Sequence, residues 1–444
     1  MRNVPEKCIL VRAFRTKQIR TGAPMETGER TIFHVDVNSA FLSWSALKQL
    51  RENPGSVDLR TIPSAVGGDI ETRHGVVTAK SIPAKKYGVQ TGEPVVKALQ
   101  KCPQLVMVRS DFTTYRKYSA QFISILKEYT DQVQQVSIDE AFLDVTDLAE
   151  DWKDAFPLGL AKSIKDTIRD RLGFTVNVGI STNKFLAKMA SDFEKPDRIH
   201  TLYPREIPEK MWPLPIRELF GCGKATAGKL SEMGFATIGE VAACDPDWLR
   251  NLLGEKQGEY IHDRANGVDN SAVETERAEA KSYSNELTTA EDISDRNFEE
   301  KGIPILKHLC EKVSARLKKD GVYGETISVI VKTGNFRRHT RQVTINRPTN
   351  DQEVIFRTAE GLMRSLLYDG DGMFQKGEVL RLIGAGVSNL ENAGIHQMGL
   401  EEWLQVNEGR ALKKGKLDDM MKKIREKYGE DAVRRGNSGI TSGN

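Results

Sequence analysis

Two apolar, strand-like runs in this chain end in carboxylates. Thr31-Ile-Phe-His-Val-Asp36 closes on Asp36, and Val136-Ser-Ile-Asp-Glu-Ala-Phe-Leu143 carries Asp139 and Glu140. Apolar runs of this length are drawn into a core, whereas an ionised acid has to reach water or a cation. A fold for this chain must therefore bury both runs and bring their acidic ends to a surface.

The surrounding pattern says how. A strand over 31–36 is followed by a helical stretch over 38–50 and a region of short elements over 53–110, punctuated by Gly67-Gly68 and Pro94. Tyr115, Tyr118, Phe122, Leu126 and Tyr129 recur at helical spacing. Strands near 133–138 and 140–146 form a hairpin. Leu158, Leu160, Ile164, Ile168 and Leu172 mark a helix, 175–180 a strand, and 182–191 another helix. Without the 43–110 insert the order is βαββαβ, a ferredoxin-like unit. Its first and third strands are antiparallel neighbours, so Asp36 should meet Asp139 and Glu140 at one sheet edge. Adjacent acids at a turn are ordinarily just solvated; this convergence argues for more.

Beyond 205 the character changes. Residues 206–272 read as a small helical domain around Phe220-Gly221-Cys-Gly223-Lys224, and 266–280 as a polar linker. From 281 to 390 strands alternate with two amphipathic helices near 300–319 and 352–368. Residues 408–435 form a charged helix, and the last residues a frayed tail. Residues 1–30 are basic and aperiodic, a loose extension, and Met25 stands as an alternative start. At 444 residues the chain should hold two to four domains.

Composition excludes more than it selects. A net charge of +3 is too mild to demand a nucleic-acid partner. Residues 331–350, however, carry Lys332, Arg337, Arg338, Arg341 and Arg347 with no acid; a solvated basic face is the competing reading. The five cysteines are scattered and without Cys-x-x-Cys spacing, which suggests neither structural zinc nor a disulfide frame. No apolar stretch of membrane-spanning length and no secretory signal is evident. The expectation is a cytoplasmic protein without a membrane partner, associated with the nucleoid when on DNA.

Converging carboxylates suit two divalent metals and phosphoryl transfer. Magnesium, a hard ion, prefers such oxygen ligands, and Mn2+ can substitute. Asp36 and Asp139 form the bridging pair, Glu140 suits the primer-side metal, and the backbone carbonyl of Val37 completes the nucleotide side. Lys85 and Lys184 stand where either segment could grip a triphosphate; a solvated charge is the alternative for each. Phe41, five residues past Asp36, could floor the sugar of a bound nucleotide and exclude a 2′ hydroxyl, or simply be core. Gly221, Gly223 and Lys224 suit backbone contacts to a DNA phosphate between two helices. Residues 329–345 look like two strands whose exposed face carries Lys332, Arg337, Arg338 and Arg341, suited to tracking phosphates.

These motifs together resemble the Y-family DNA polymerases over residues 31 to about 390. The carriers are His-Val-Asp36 with an aromatic at 41, Ser137-Ile-Asp-Glu140, Val178-Gly-Ile-Ser-Thr-Asn-Lys184-x-x-Ala-Lys188, Gly221-x-Gly-Lys, and Lys281-Ser-Tyr-Ser-Asn-Glu286. The resemblance implies an α+β, multidomain fold. A ferredoxin-like βαββαβ palm (31–42 and 110–191) carries a fingers insertion (43–109). A helix-hairpin-helix thumb (192–272) and a linker (273–279) lead to an α+β little finger (280–396) and a tail (397–444). It makes Asp36, Asp139 and Glu140 the metal ligands, Phe41 a steric gate and Lys184 a triphosphate contact. It further implies low-fidelity, distributive synthesis across damaged template, on primer–template DNA with deoxynucleoside triphosphates, by a monomer.

The chain also departs from the family pattern. The fingers motif Tyr-x-Ala-Arg reads Ile82-Pro-Ala-Lys85 here, and lysine lacks the guanidinium fork. Asn38 stands where many relatives carry Asp, and Ala40 where an aromatic is common. Gln397-Met-Gly-Leu400 is a candidate for the sliding-clamp motif of the family, without its aromatic. Two other readings, a catalytically silent repair scaffold and a metal-dependent nuclease, predict no nucleotide incorporation.

Overall fold

A computed structural model describes residues 30–68, 75–276 and 278–392. The N-terminal extension and the segment carrying Gln397–Leu400 lie outside them. The chain divides into two compact units, residues 1–279 and 280–444.

The first unit is built on a five-stranded sheet. In chain order its local strands are β1 (Ile32–Val37), β2 (Ser64–Gly67), β3 (Val77–Lys80), β4 (Val106–Arg109), β5 (Val133–Gln135), β6 (Glu140–Asp144), β7 (Val176–Ser181) and β8 (Ile199–Thr201). The main sheet runs β5-β6-β1-β7-β8, and β2, β3 and β4 form a separate sheet ordered β3-β2-β4. β1 is central and antiparallel to both neighbours, pairing Asp36 with Glu140 on one side and with Asn177 on the other. Phe33, Val35, Leu143, Val176 and Val178 are buried in the core that the helices Phe112–Lys127 and Leu158–Leu172 help to close.

One helix is shared between the two sheets, and two element boundaries differ from the sequence reading, each for a packing reason. The helix Ala40–Glu52 buries Leu42, Trp44 and Ala46 in a core that holds Phe33 and Val35 of β1 together with Val66 of β2 and Ala79 of β3, so residues 43–52 pack against both sheets. β8 pairs parallel to β7, which adds residues 199–201 to the main sheet and not to the helical part. The hairpin strands are shorter than expected: residues 136–139 form the turn, and Glu140 opens β6.

Helices Lys224–Glu232, Ile238–Ala242, Pro246–Leu253 and Glu255–Ala265 enclose a separate apolar core with Leu230, Ile238, Val241, Leu249 and Ile261 at its centre.

The second unit is a four-stranded antiparallel sheet of β9 (Ser282–Ile293), β10 (Val322–Thr333), β11 (Arg338–Thr349) and β12 (Leu380–Asn392), ordered β11-β10-β12-β9. Ile327, Val329 and Val331 alternate along β10 and pack with Leu309, Val313, Ile355 and Met363 of the helices Ile303–Lys319 and Gln352–Tyr368. The helices therefore cover one face.

Candidate active site

The local chemistry of the strand ends places the acids. Asp36, next to last in β1, faces Glu140, the first residue of β6. Asp139 occupies the turn just before it. There the Ser137 hydroxyl donates to the Asp139 carboxylate at 2.7 Å, and the Val37 N–H donates to its carbonyl at 2.9 Å. The Asp139 turn is thus stitched to the end of β1.

Two lysines and a histidine set the electrostatics. The Lys188 ammonium lies 3.0 Å from Glu140 and 3.4 Å from Asp36; that of Lys195 lies 3.0 Å from Asp36. Asp192 approaches both. Lys188 reaches the acids because its helix, Lys184–Ser191, lies almost on β7. A Cβ at Gly179 would stand 2.0 Å from the carbonyl of Ala187, so only glycine permits that approach. His34 is fully buried, two residues from Asp36 and on its face, with Nδ1 2.7 Å from Ser191 Oγ and Nε2 3.3 Å from Glu140. Burial lowers the pKa of His34.

Glu140 and Asp139 respond in opposite senses. Hydrogen bonding from His34, with further help from Lys188, outweighs burial and lowers Glu140 to about 2. Asp139 moves the other way: burial raises it, the Ser137 hydroxyl opposes, and the charges of Asp36 and Glu140 add to the rise. Burial pulls Lys188 down, yet Asp36, Asp192 and Glu140 together raise it. Glu140 is thus held ionised by His34 and Lys188, and the carboxylates of two chain segments make an oxygen-rich donor set that fits hard divalent cations. Among the described residues, His34, Asp36 and Glu140 bring ligand atoms within 4.8 Å of one another. Of these, the carboxylates are the hard oxygen donors that such a cation prefers.

Asp36 and Asp139 open onto a cleft whose lining also includes Val37, Phe41, Arg60, Lys80, Lys85 and Lys195. Phe41 stacks on Tyr115 with ring centroids 4.7 Å apart and planes 14° from parallel, and Tyr115 is tied to Ser45 by a 2.8 Å hydrogen bond. Its ring is partly buried and still lines the cleft. Arg60 is clamped by Asp58 and donates to the carbonyl of Gly173 at 2.8 Å. Asn38 is buried and bridges three segments. Its amide donates to Asn177 at 3.1 Å, and its oxygen accepts from Thr175 at 2.9 Å and from the Asp197 N–H at 2.9 Å.

One expected contact is displaced. Lys184 does not line the cleft; its ammonium donates to Gln134 at 3.0 Å and lies 5.6 Å from the centre of the Phe142 ring. Helix phase explains this, because the N-terminus at Asn183 turns Lys184 toward β5 and β6. Lys195, just past the helix, occupies the cleft instead. The roles of His34, Lys188 and Lys195 escaped the sequence reading, although two carried signals. His34 shares the β1 face of Asp36, and Lys188 sits between Ala187 and Met189 in a helix whose residues 185–191 are all buried.

The helical part presents Gly221, Gly223 and Lys224 as expected of a turn into a helix. Gly221 has φ +89°, and a Cβ there would meet the Tyr260 hydroxyl at 2.4 Å. Gly223 precedes the first turn of Lys224–Glu232, and Lys224 is exposed. In the second unit the basic residues split by strand parity. Lys332 pairs with Arg338 across β10 and β11, on the face away from the helices, where Arg338 also meets Glu286 at 2.5 Å. Arg341 pairs with Val329 on the helix-covered face and donates to Ser365. The single basic face expected from the sequence is thus two faces. Arg337 lies in the turn between the strands.

An acidic pair opening on a cation-rimmed cleft, in a chain that also presents an exposed glycine turn into a helix, has the features of an enzyme that handles polyphosphates and nucleic acid. Residues 35–192 match the impB/mucB/samB family, 280–400 the C-terminal domain of that family, and 217–269 the thumb domain of DNA polymerase-iota. DNA polymerase IV of Clostridium acetobutylicum is 41% identical over 406 residues, covering 91% of this chain and 97% of that one. DNA polymerase IV 1 of Bacillus subtilis is 36% identical, with 92% of each chain covered. A solved Y-family DNA polymerase chimera superposes with a TM-score of 0.70 at 25% identity, covering 82% of this chain and 99% of its own. The chain belongs to the Y family of DNA polymerases, in the DNA polymerase IV group, and is a DNA-directed DNA polymerase. Its substrates are accordingly DNA and nucleotides, and the family generally requires divalent metals. No helix among the described residues is long and apolar enough to cross a membrane.

Proposed function

We propose that the chain extends primers past damaged template bases by two-metal phosphoryl transfer. Asp36, Asp139, Glu140 and the Val37 carbonyl would hold two Mg2+ ions, with Mn2+ able to replace them, and these ions would activate the primer 3′ hydroxyl and neutralise the triphosphate. The protein's own part is positioning. Lys188 and His34 keep Glu140 ionised, Lys195 and Lys85 face the polyphosphate, and Phe41 stacked on Tyr115 floors the sugar. In the thumb, Gly221, Gly223 and Lys224 receive a DNA phosphate, and in the little finger Lys332 and Arg338 track the backbone.

The observation that carries this reading is the meeting of Asp36 and Asp139, from two chain segments, on the one cleft that Phe41 and the lysines line. The domain assignments of palm, fingers, thumb and little finger belong to the same proposal. So do a cytoplasmic location, a monomeric state and clamp docking through Gln397–Leu400; a peptide-docking assay that shows no loss on Gln397→Ala would remove the last. The deciding experiment is primer extension with Mg2+ on intact and abasic templates. Wild type should extend both, and Asp139→Ala/Glu140→Ala neither. Extension of the intact template alone would remove the translesion role.

A further inference from the structure

Lys80 belongs to no motif recognised in the sequence. It is the last residue of β3, half-buried, and lines the same cleft as Lys85 and Asp36. Its ammonium donates to the Thr91 hydroxyl at 3.3 Å, and Thr91 also lines the cleft. Accepting from Lys80 leaves the Thr91 hydroxyl proton free to donate elsewhere.

Lys80 is in a costly position for a cation. Burial lowers its pKa, the neighbouring charge of Lys85 lowers it further, and only Glu93 acts in its favour. Glu93 is itself engaged: its carboxylate meets Lys101 at 2.5 Å and accepts from the Gln90 N–H at 2.8 Å. Among the described residues no carboxylate lies within ion-pair distance of Lys80 or Lys85. Two ammonium groups near enough to repel, neither of them in an ion pair among the described residues, make a site for a dense anion. Ile82, between them in sequence, lines the cleft with an apolar side chain that offers no hydrogen bond.

We infer that Lys80, with the Thr91 hydroxyl beside it, is a further triphosphate contact for the incoming deoxynucleotide and acts jointly with Lys85. The inference rests on the polymerase reading above. A nucleotide triphosphate, with several charges on one short chain, matches this paired site better than a DNA backbone, which carries one charge for about every 3.4 Å of each strand. The cleft that holds the lysines is also the one onto which Asp36 and Asp139 open, where a triphosphate has to lie for transfer to occur.

The test is single-nucleotide incorporation by the full chain on undamaged primer–template, comparing wild type, Lys80→Met and Lys80→Arg. Losing one charge-assisted contact should raise the KM for deoxynucleotide about tenfold in Lys80→Met while kcat changes far less. Inhibition by pyrophosphate should weaken in parallel. Lys80→Arg should recover most of the affinity, and the Kd for primer–template, read by fluorescence anisotropy without nucleotide, should stay as in wild type. An unchanged KM in Lys80→Met overturns the inference. So does a KM rise matched by an equal rise in the primer–template Kd, which would place Lys80 on template phosphate. Wild type that binds DNA and incorporates nothing would instead overturn the polymerase reading itself.

Discussion

The Lys188 ammonium sits 3.0 Å from Glu140 and 3.4 Å from Asp36, so one buried cation joins acids from two strands. Its removal leaves those acids facing each other with Lys195 on Asp36 alone. Lys188→Met should therefore cost about 3 kcal/mol of stability, read by urea unfolding at pH 7 in EDTA. An unchanged midpoint would show that Lys195 suffices.

Glu140 gives the site a definite acid limit. Its pKa of about 2 in the folded chain lies below the usual 4.5, so it stabilises the fold at pH above 4.5 and loses that contribution as pH falls toward 2. The contribution is at most about 3 kcal/mol. Asp139, raised by burial, acts in the opposite sense, favouring the fold once it is protonated. Urea unfolding at pH 7 and pH 3 should show a smaller acid-side loss in Glu140→Gln than in wild type. Parallel losses in the two proteins would remove Glu140 as the cause.

Phe41 stacks on Tyr115 with one edge on the cleft. Phe41→Ala opens the space that a 2′ hydroxyl needs. The preference for deoxy- over ribonucleotides, as a ratio of kcat/KM values, should fall at least about tenfold. Unchanged discrimination, with a lower unfolding midpoint, would make Phe41 a core residue only.

The parity of β11 separates residues that composition groups together. Lys332→Ala/Arg338→Ala should lower the slope of log Kd for DNA against log salt by about two, and Arg341→Ala by much less. Equal effects from all three would mean that DNA wraps the edge strand β11.

The sequence made the strand ends readable because their signals are local: an apolar run, then an acid, with glycines and helices in ferredoxin-like order. The pairing of Asp36 with Glu140 follows from that order. Phe41 and Lys85 fall in the cleft for the same reason, each at a short fixed distance from an element end. Lys184 and Lys195 show where such reading stops. They stand at the two ends of one short helix, and which of them reaches the cleft depends on helix phase and on the path of the chain after Ser191. A two-residue period separates Arg341 from Arg338, which composition groups together. The helix Ala40–Glu52 packs against both sheets because Trp44 and its neighbours are buried in the core they share, a tertiary fact that a count of polar residues does not contain.

Asn38 carries a final consequence. Its one amide holds Asn177 of β7, Thr175 ahead of it, and the Asp197 backbone just past Lys195, while its own backbone continues from Asp36. The Asp36 carboxylate and the Lys195 cation that line the cleft are therefore geared together. Displacing the Lys195 arm drags on Asp36 through a short, fully satisfied linkage. Evolution or engineering that widens this cleft for bulkier nucleotides by moving that arm would disturb the acidic centre as well, whereas changes on the β3 side, around Lys80 and Ile82, stand clear of that gear.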